Sequence, residues 1–114
     1  MDGITYYSMD ELIEAIVSEG IVSGYCNYWI EAVDSSNAKD KEFSTVDERL
    51  IYAVRNGGLY IQPIDDEKSL LTAEDIVESF AEYEAFLPDE IGMVDAEVAD
   101  TVIQIVLFGG VIYA

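Results

Sequence analysis

The chain has 114 residues, with 24 Asp plus Glu, 5 Lys plus Arg and no His, for a formal net charge of −19. Hydrophobic residues make up 51% of it, which excludes an acidic disordered tail, because a highly charged chain stays unfolded when it is poor in apolar residues. The missing His and the single Cys exclude imidazole bases, Ser-His and Cys-His nucleophile pairs, and thiolate zinc sites within one chain.

Ile4 to Tyr7 has the composition of a short strand. Ser8-Met9-Asp10-Glu11 then reads as a capping box, in which the Ser hydroxyl and the Glu carboxylate satisfy each other's backbone amides. Leu12, Ile13, Ile16 and Val17 follow at helical spacing, so a helix is expected over about 9–18, with Gly20 as its C-terminal cap. Gly24 to Asn27 reads as a loop and Tyr28 to Val33 as a strand rich in aromatic and β-branched residues. The polar run from Asp34 to Phe43 is expected to be an exposed loop.

Ser44 or Thr45 caps the next helix, whose apolar face is Leu50, Ile51, Ala53 and Val54. Arg55 suits its C-terminal dipole, and Gly57 ends it. Gly58 to Ile64 reads as a strand, with Pro63 marking an edge because it lacks a ladder donor. Lys68 to Leu71 returns as its hairpin partner. Thr72 opens a third helix with Ile76, Val77, Phe80, Tyr83 and Phe86 as its buried face, and Pro88 stops it. Asp95 caps a fourth helix from Ala96 to about Leu107, apolar around most of its circumference and therefore mostly buried. Val111 to Tyr113 reads as a last short strand. This order predicts one α+β domain over residues 1–114, with a small, mainly antiparallel sheet of three to five strands packed by about four helices.

The ending from Val94-Asp95-Ala96-Glu97 through Ile103-Gln104-Ile105-Val106-Leu107-Phe108-Gly109-Gly110 to Tyr113 resembles a C-terminal pattern of small phage- and prophage-encoded proteins. Trp29 on a strand and the helix-Gly-Gly-strand stretch from Ala53 to Ile61 are similar to the same group. That group has no assigned chemistry, so the resemblance implies a mobile-element setting and carries over no catalytic residue.

Four constellations bear on function. Glu74, Glu78 and Glu82 recur every four residues of the third predicted helix, a row about 6 Å apart at 1.5 Å rise per residue, with Asp75 beside it. Asp10 and Glu14 make a second acidic patch on the first helix, with Glu11 beside them. Such a row is an ordinary solvated face, or it displays carboxylates at the spacing of successive phosphates. Tyr25, Tyr28 and Trp29 cluster in a chain with eight Tyr and one Trp; Trp29 reads as core with the tyrosines at its rim, and such aromatics are also the residues of binding hot spots.

The third is Asp66-Glu67-Lys68, which matches the acid-x-Lys element of metal-dependent nucleases, with Asp34 as the upstream carboxylate. It is also an ordinary hairpin turn, and a charge of −19 opposes holding DNA. The fourth is the set of acids at Asp65, Asp66, Glu67, Asp89, Glu90 and Asp95, which offers oxygen ligands but has no EF-hand spacing. No catalytic residue, metal site or cofactor is expected.

Five cations against 24 acids repel both a phosphate backbone and an anionic membrane, so the expected partner is a basic protein surface. No run reaches the roughly 18 apolar residues of a membrane span. The acidic start Met1-Asp2-Gly3 lacks the character of a signal peptide, and Cys26 has no internal disulfide partner, so a cytoplasmic location in a bacterial host cell is expected. The resulting expectation is a phage or mobile-element interaction protein that occludes a nucleic-acid-binding surface of a host defence protein, of the anti-restriction or anti-CRISPR type. Its partner-binding residues would be Glu74, Asp75, Glu78, Glu82, Asp10, Glu14, Tyr25 and Tyr28. The alternative is a structural or accessory domain, or a homo-oligomer, whose charge keeps it dispersed and whose apolar C-terminal helix and closing strand bury a subunit interface.

Overall fold

Helix starts follow the capping side chains in the computed structural model, which describes residues 8–114; the strand expected at residues 4–7 lies outside them. Helix α1 (Met9–Ile16) begins at Ser8, whose hydroxyl accepts from the Glu11 amide at 3.2 Å while the Glu11 carboxylate accepts from the Ser8 amide at 3.2 Å. Thr45 accepts from the Glu48 amide at 3.1 Å to start α2 (Val46–Arg55), and Thr72 accepts from Asp75 at 3.0 Å to start α3 (Ala73–Glu78). Asp95 accepts from Val98 at 2.9 Å at the head of α5 (Ala96–Phe108). Each bond satisfies an amide that a helix end leaves open.

Strand β1 (Ile30–Asp34), β2 (Leu59–Pro63) and β3 (Ser69–Leu71) form an antiparallel sheet in the order β1-β2-β3. Val33 pairs with Ile61 and Leu59 with Leu71, and a bulge interrupts β1 between Ile30 and Ala32. Along β2, Leu59, Ile61 and Pro63 are buried while Tyr60 and Gln62 are half-buried, the period-2 pattern of a strand with one face on the core. The domain is α+β, as the sequence implies. The expected edge character at Pro63 is local: β2 is the central strand, and β3 pairs only with Leu59 to Ile61, which leaves Pro63 beyond its reach.

Several expected boundaries change. The strand expected from Tyr28 starts at Ile30, because Tyr25–Tyr28 form a 3-10 turn that Trp29 ends, and the loop expected to be exposed over 34–43 holds a 3-10 turn, Ser36–Ala38, with Ala38 buried. Gly20 does not cap α1. The helix runs on as a wider π-helical segment, Val17–Val22, in which the Ser23 amide donates to the Ser18 carbonyl at 3.1 Å. Gly20 is buried there, and a Cβ on it would lie 2.8 Å from Ile103 Cδ1 and 3.1 Å from Ala99 Cβ. The glycine lets this segment approach α5. The left-handed residue that follows the segment is Gly24, at φ 85°.

The third predicted helix is two. It breaks at Ser79 and restarts as α4 (Phe80–Tyr83). The Tyr83 hydroxyl donates at 2.8 Å to the Ile76 carbonyl, the acceptor that a continuous helix offers to the Phe80 amide. Ile76 and Tyr83 are fully buried and Phe80 partly so, but Val77 (47% exposed) and Phe86 (55%) are not part of a buried face.

The residues from Val111 to Tyr113 form no strand. They fold back on α5 as a strap, described below. Helix α5 itself lies in the core, as its composition implies, packed against α1, the π-helical segment and β3. Leu12, Ile16, Trp29, Leu59, Ile61, Leu71, Ile76 and Ile103 form one hydrophobic cluster. Each such side chain contributes about 1.5–3 kcal/mol relative to leaving it in water.

Candidate functional site

Helices α1 and α3 pack against each other, and a groove of about 390 Å³ lies between them. Met9, Ile13, Ala73 and Val77 give it an apolar floor, and Asp10, Glu74 and Glu78 stand around it with Arg55. The helical repeat explains the arrangement. Asp10, Ile13 and Glu14 share a face of α1, and Glu74, Val77 and Glu78 share a face of α3, because residues three and four apart are neighbours. Asp10 from one expected acidic patch and Glu74 and Glu78 from the other therefore border one groove, whereas Glu14 lines a separate depression with Asp47, Glu48 and Tyr52.

The two patches differ electrostatically. Arg55, on the last turn of α2, places Nη2 3.3 Å from Asp10 Oδ1 and 3.3 Å from Glu14 Oε2, and donates to the Asp10 carbonyl at 3.2 Å. Asp10 and Glu14 thus share a cation. Among the described residues, no cation lies within ion-pairing distance of Glu74, Asp75 or Glu78, and all three are exposed. Glu82 does not complete the predicted row, because the break at Ser79 ends the four-residue repeat at Glu78 and puts Glu82 on α4.

Tyr25 and Tyr28 lie on a single 3-10 turn, Tyr25–Tyr28, with rings edge to face at 6.3 Å. They are 45% and 44% exposed, whereas Trp29 is fully buried, so the aromatic cluster divides into a core ring and two rim rings. Partial desolvation, then the charges of Glu97, Asp100 and Asp95, raise the Tyr25 phenol above its ordinary range. This aromatic pair is bordered by acids of the α5 N-terminal turn.

Beneath it lies a polar nest that sequence reasoning missed. Asp100, on α5, is 6% exposed. Its carboxylate accepts from Trp29 Nε1 at 2.8 Å, Gln104 Nε2 at 3.0 Å, Cys26 Sγ at 3.4 Å and the Tyr28 hydroxyl. Gln104 Oε1 in turn accepts from the Ile112 and Tyr113 amides at 2.9 and 2.8 Å, and its Nε2 donates to the Tyr113 carbonyl at 3.1 Å. Tyr113 stacks on Trp29, with centroids 5.2 Å apart and planes 8° from parallel. The signal was present: Asp100 and Gln104 are spaced i, i+4 in a mostly apolar helix, and buried polar groups need partners. Burial first, then the nearby carboxylate, push the Cys26 thiol far above its ordinary value. A thiol held protonated is a poor nucleophile.

The hairpin motif behaves as a turn. Asp66 Oδ1 accepts from the Glu67 amide at 2.9 Å, and Gln62 Nε2 donates to the Asp66 carbonyl at 2.9 Å. Asp34 and Lys68 do meet, in a 160 Å³ depression with Tyr60 and Gln62, but Asp66 and Glu67 do not line it. Lys68 Nζ sits 5.2 Å over the Tyr60 ring, and Asp34 Oδ1 accepts from the Ser36 amide at 2.8 Å. Among the described residues no three acidic, His or Cys side chains are grouped to hold a metal ion. Lys39, Lys41 and Arg49 line another open depression with Asp34, Ser35 and Ser36, where charges of both signs face the same space.

No described helix is long and apolar enough to cross a membrane. Comparison of the chain with family models, curated proteins and solved structures finds no match.

Proposed function

We propose that this chain is an interaction protein that occupies a basic, nucleic-acid-binding surface of another protein and performs no chemistry of its own. The observation that carries this reading is the exposed trio Glu74, Asp75 and Glu78, free of internal cations among the described residues, on a chain of net charge −19. Helix α3 holds Glu74 and Glu78 one turn apart, about 6 Å along its axis, a spacing close to that of phosphates along a strand. Like charges one turn apart lose a few tenths of a kcal/mol per pair. A fold with a large core tolerates that loss, so the row can be kept for binding. The carboxylates would replace phosphates on the partner, and the net charge would steer the encounter.

On the resemblance of the C-terminal segment to phage and prophage proteins, the partner class is host defence proteins that bind DNA or RNA, of the restriction or CRISPR kind. Capture from a bacterial lysate with tagged chain, at about 100 mM salt where the screening length is about 10 Å, tests the reading. Nucleic-acid-binding proteins that are retained, and that added DNA displaces, support it. Retained proteins indifferent to DNA, or capture unaffected by Glu74→Lys with Glu78→Lys, overturn it.

A further inference from the structure

We infer that the groove between α1 and α3 docks a basic amphipathic segment of the partner, one that brings an apolar side chain as well as Lys or Arg. The inference rests on the acidic-surface reading and narrows it. A phosphate mimic needs carboxylates alone. This site has more: its floor is Met9, Ile13 and Val77, and its rim is Asp10, which Arg55 already pairs, with the uncompensated acids Glu74 and Glu78. Val77 faces this space 47% exposed although it lies mid-helix beside the fully buried Ile76. Nothing else in the described chain covers it.

The chemistry selects the occupant. An apolar side chain on the floor removes Val77 and Met9 from water, and cations one helical turn from it fall on the rim. A polyanion would meet the rim acids, and a neutral apolar segment would leave Glu74 and Glu78 unpaired. A purely basic segment would leave the floor wet. Charge complementarity and floor burial are satisfied together by a segment with alternating basic and apolar faces, the helix-in-groove mode of recognition.

Two synthetic peptides of about 14 residues, four helical turns, separate the contributions. One carries Leu and Lys at helical spacing; the other has each Leu replaced by Ser and the same charge. The full chain is titrated with each by calorimetry at about 100 mM salt. The Leu/Lys peptide is expected to bind at least about tenfold more tightly than the Ser/Lys peptide. Val77→Ser should shrink that ratio severalfold, whereas Val46→Ser, at a comparably exposed valine on α2, should leave it unchanged. Circular dichroism confirms that both variants fold. Equal affinity for the two peptides, or a ratio that Val77→Ser does not alter, overturns the groove while the acidic-surface reading stands. Failure of both peptides to bind overturns the groove and the acidic surface together.

Discussion

Trp29 donates its indole N–H to Asp100 Oδ1 at 2.8 Å, with both side chains buried, across 71 residues of sequence. The bond joins the residue just before β1 to the buried face of α5. It also fixes the ring on which Tyr113 stacks and against which Phe108 packs edge to face at 5.7 Å. Asp100 is the acceptor for four side chains at once, so its loss strands several buried donors. Each unsatisfied donor costs about 1–3 kcal/mol. Asp100→Ala is expected to destabilise the fold by more than about 3 kcal/mol in a denaturant titration followed by Trp29 fluorescence. A loss below about 1 kcal/mol would show that the nest is dispensable.

The same nest makes stability depend on alkaline pH. Burial, then the Asp100 carboxylate, raise the Cys26 thiol well above 9.0; burial, then the hydrogen bond to Asp100, raise the Tyr28 phenol well above 10.0. The native chain therefore keeps these protons at pH values where the unfolded chain has lost them. Stability is full below about pH 9 and falls as pH rises above it, because the native state binds the more protons there. Denaturation midpoints measured between about pH 8 and 11 should decline across the upper part of that range. Alkylation of Cys26 in the folded chain at about pH 8 should be negligible. A thiol that reacts as fast as a free cysteine would contradict the buried, protonated assignment.

Gly20 marks where the π-helical segment meets α5. A Cβ there would come within 2.8 Å of Ile103 and 3.1 Å of Ala99. Gly20→Ala gains about 1 kcal/mol in helix propensity and loses a similar amount to crowding, for a small net change. Gly20→Val has no such offset and is expected to lose about 2–3 kcal/mol. Thermal denaturation of the two variants distinguishes this close approach from a helix end, where both substitutions would be alike.

Arg55 has opposite effects on stability and on the groove. Its pairs with Asp10 and Glu14 are exposed, so Arg55→Gln is expected to lose no more than about 1 kcal/mol of stability. It also frees Asp10 at the groove and removes the groove's lining cation, so affinity for the Ser/Lys peptide should rise, with a steeper dependence on salt. Weaker peptide binding by the variant would mean that Arg55 itself contacts the occupant.

Charge reversal on α3 gives the complementary result. Glu74→Lys with Glu78→Lys exchanges one i, i+4 repulsion for another and puts a cation in the first turn of α3, so it should cost no more than about 1 kcal/mol of stability. Association with a basic partner should slow, with less dependence on ionic strength. Stopped-flow rates at two salt concentrations provide the check.

The elements legible in the sequence are those set by local chemistry. Ser8 with Glu11, Thr45, Thr72 and Asp95 announce helix starts because a capping oxygen needs only the next turn of its own chain. The hairpin of β2 and β3 follows from its turn residues in the same way. The acids of the candidate site were legible as well, since Asp10, Glu14, Glu74, Asp75 and Glu78 lie on exposed helix faces. Tertiary structure alone decided what spans the chain: that α1 and α3 border one groove, and that, among the described residues, Arg55 pairs one patch and leaves the other, and no side chain covers Val77. It also decided that helical spacing breaks at Ser79 in favour of the Tyr83–Ile76 bond. The run from Val111 to Tyr113 has the composition of a strand, but a strand needs a partner edge. The partner it finds is the Gln104 side chain and the face of Trp29, and these meet it only because Asp100 holds them in the core.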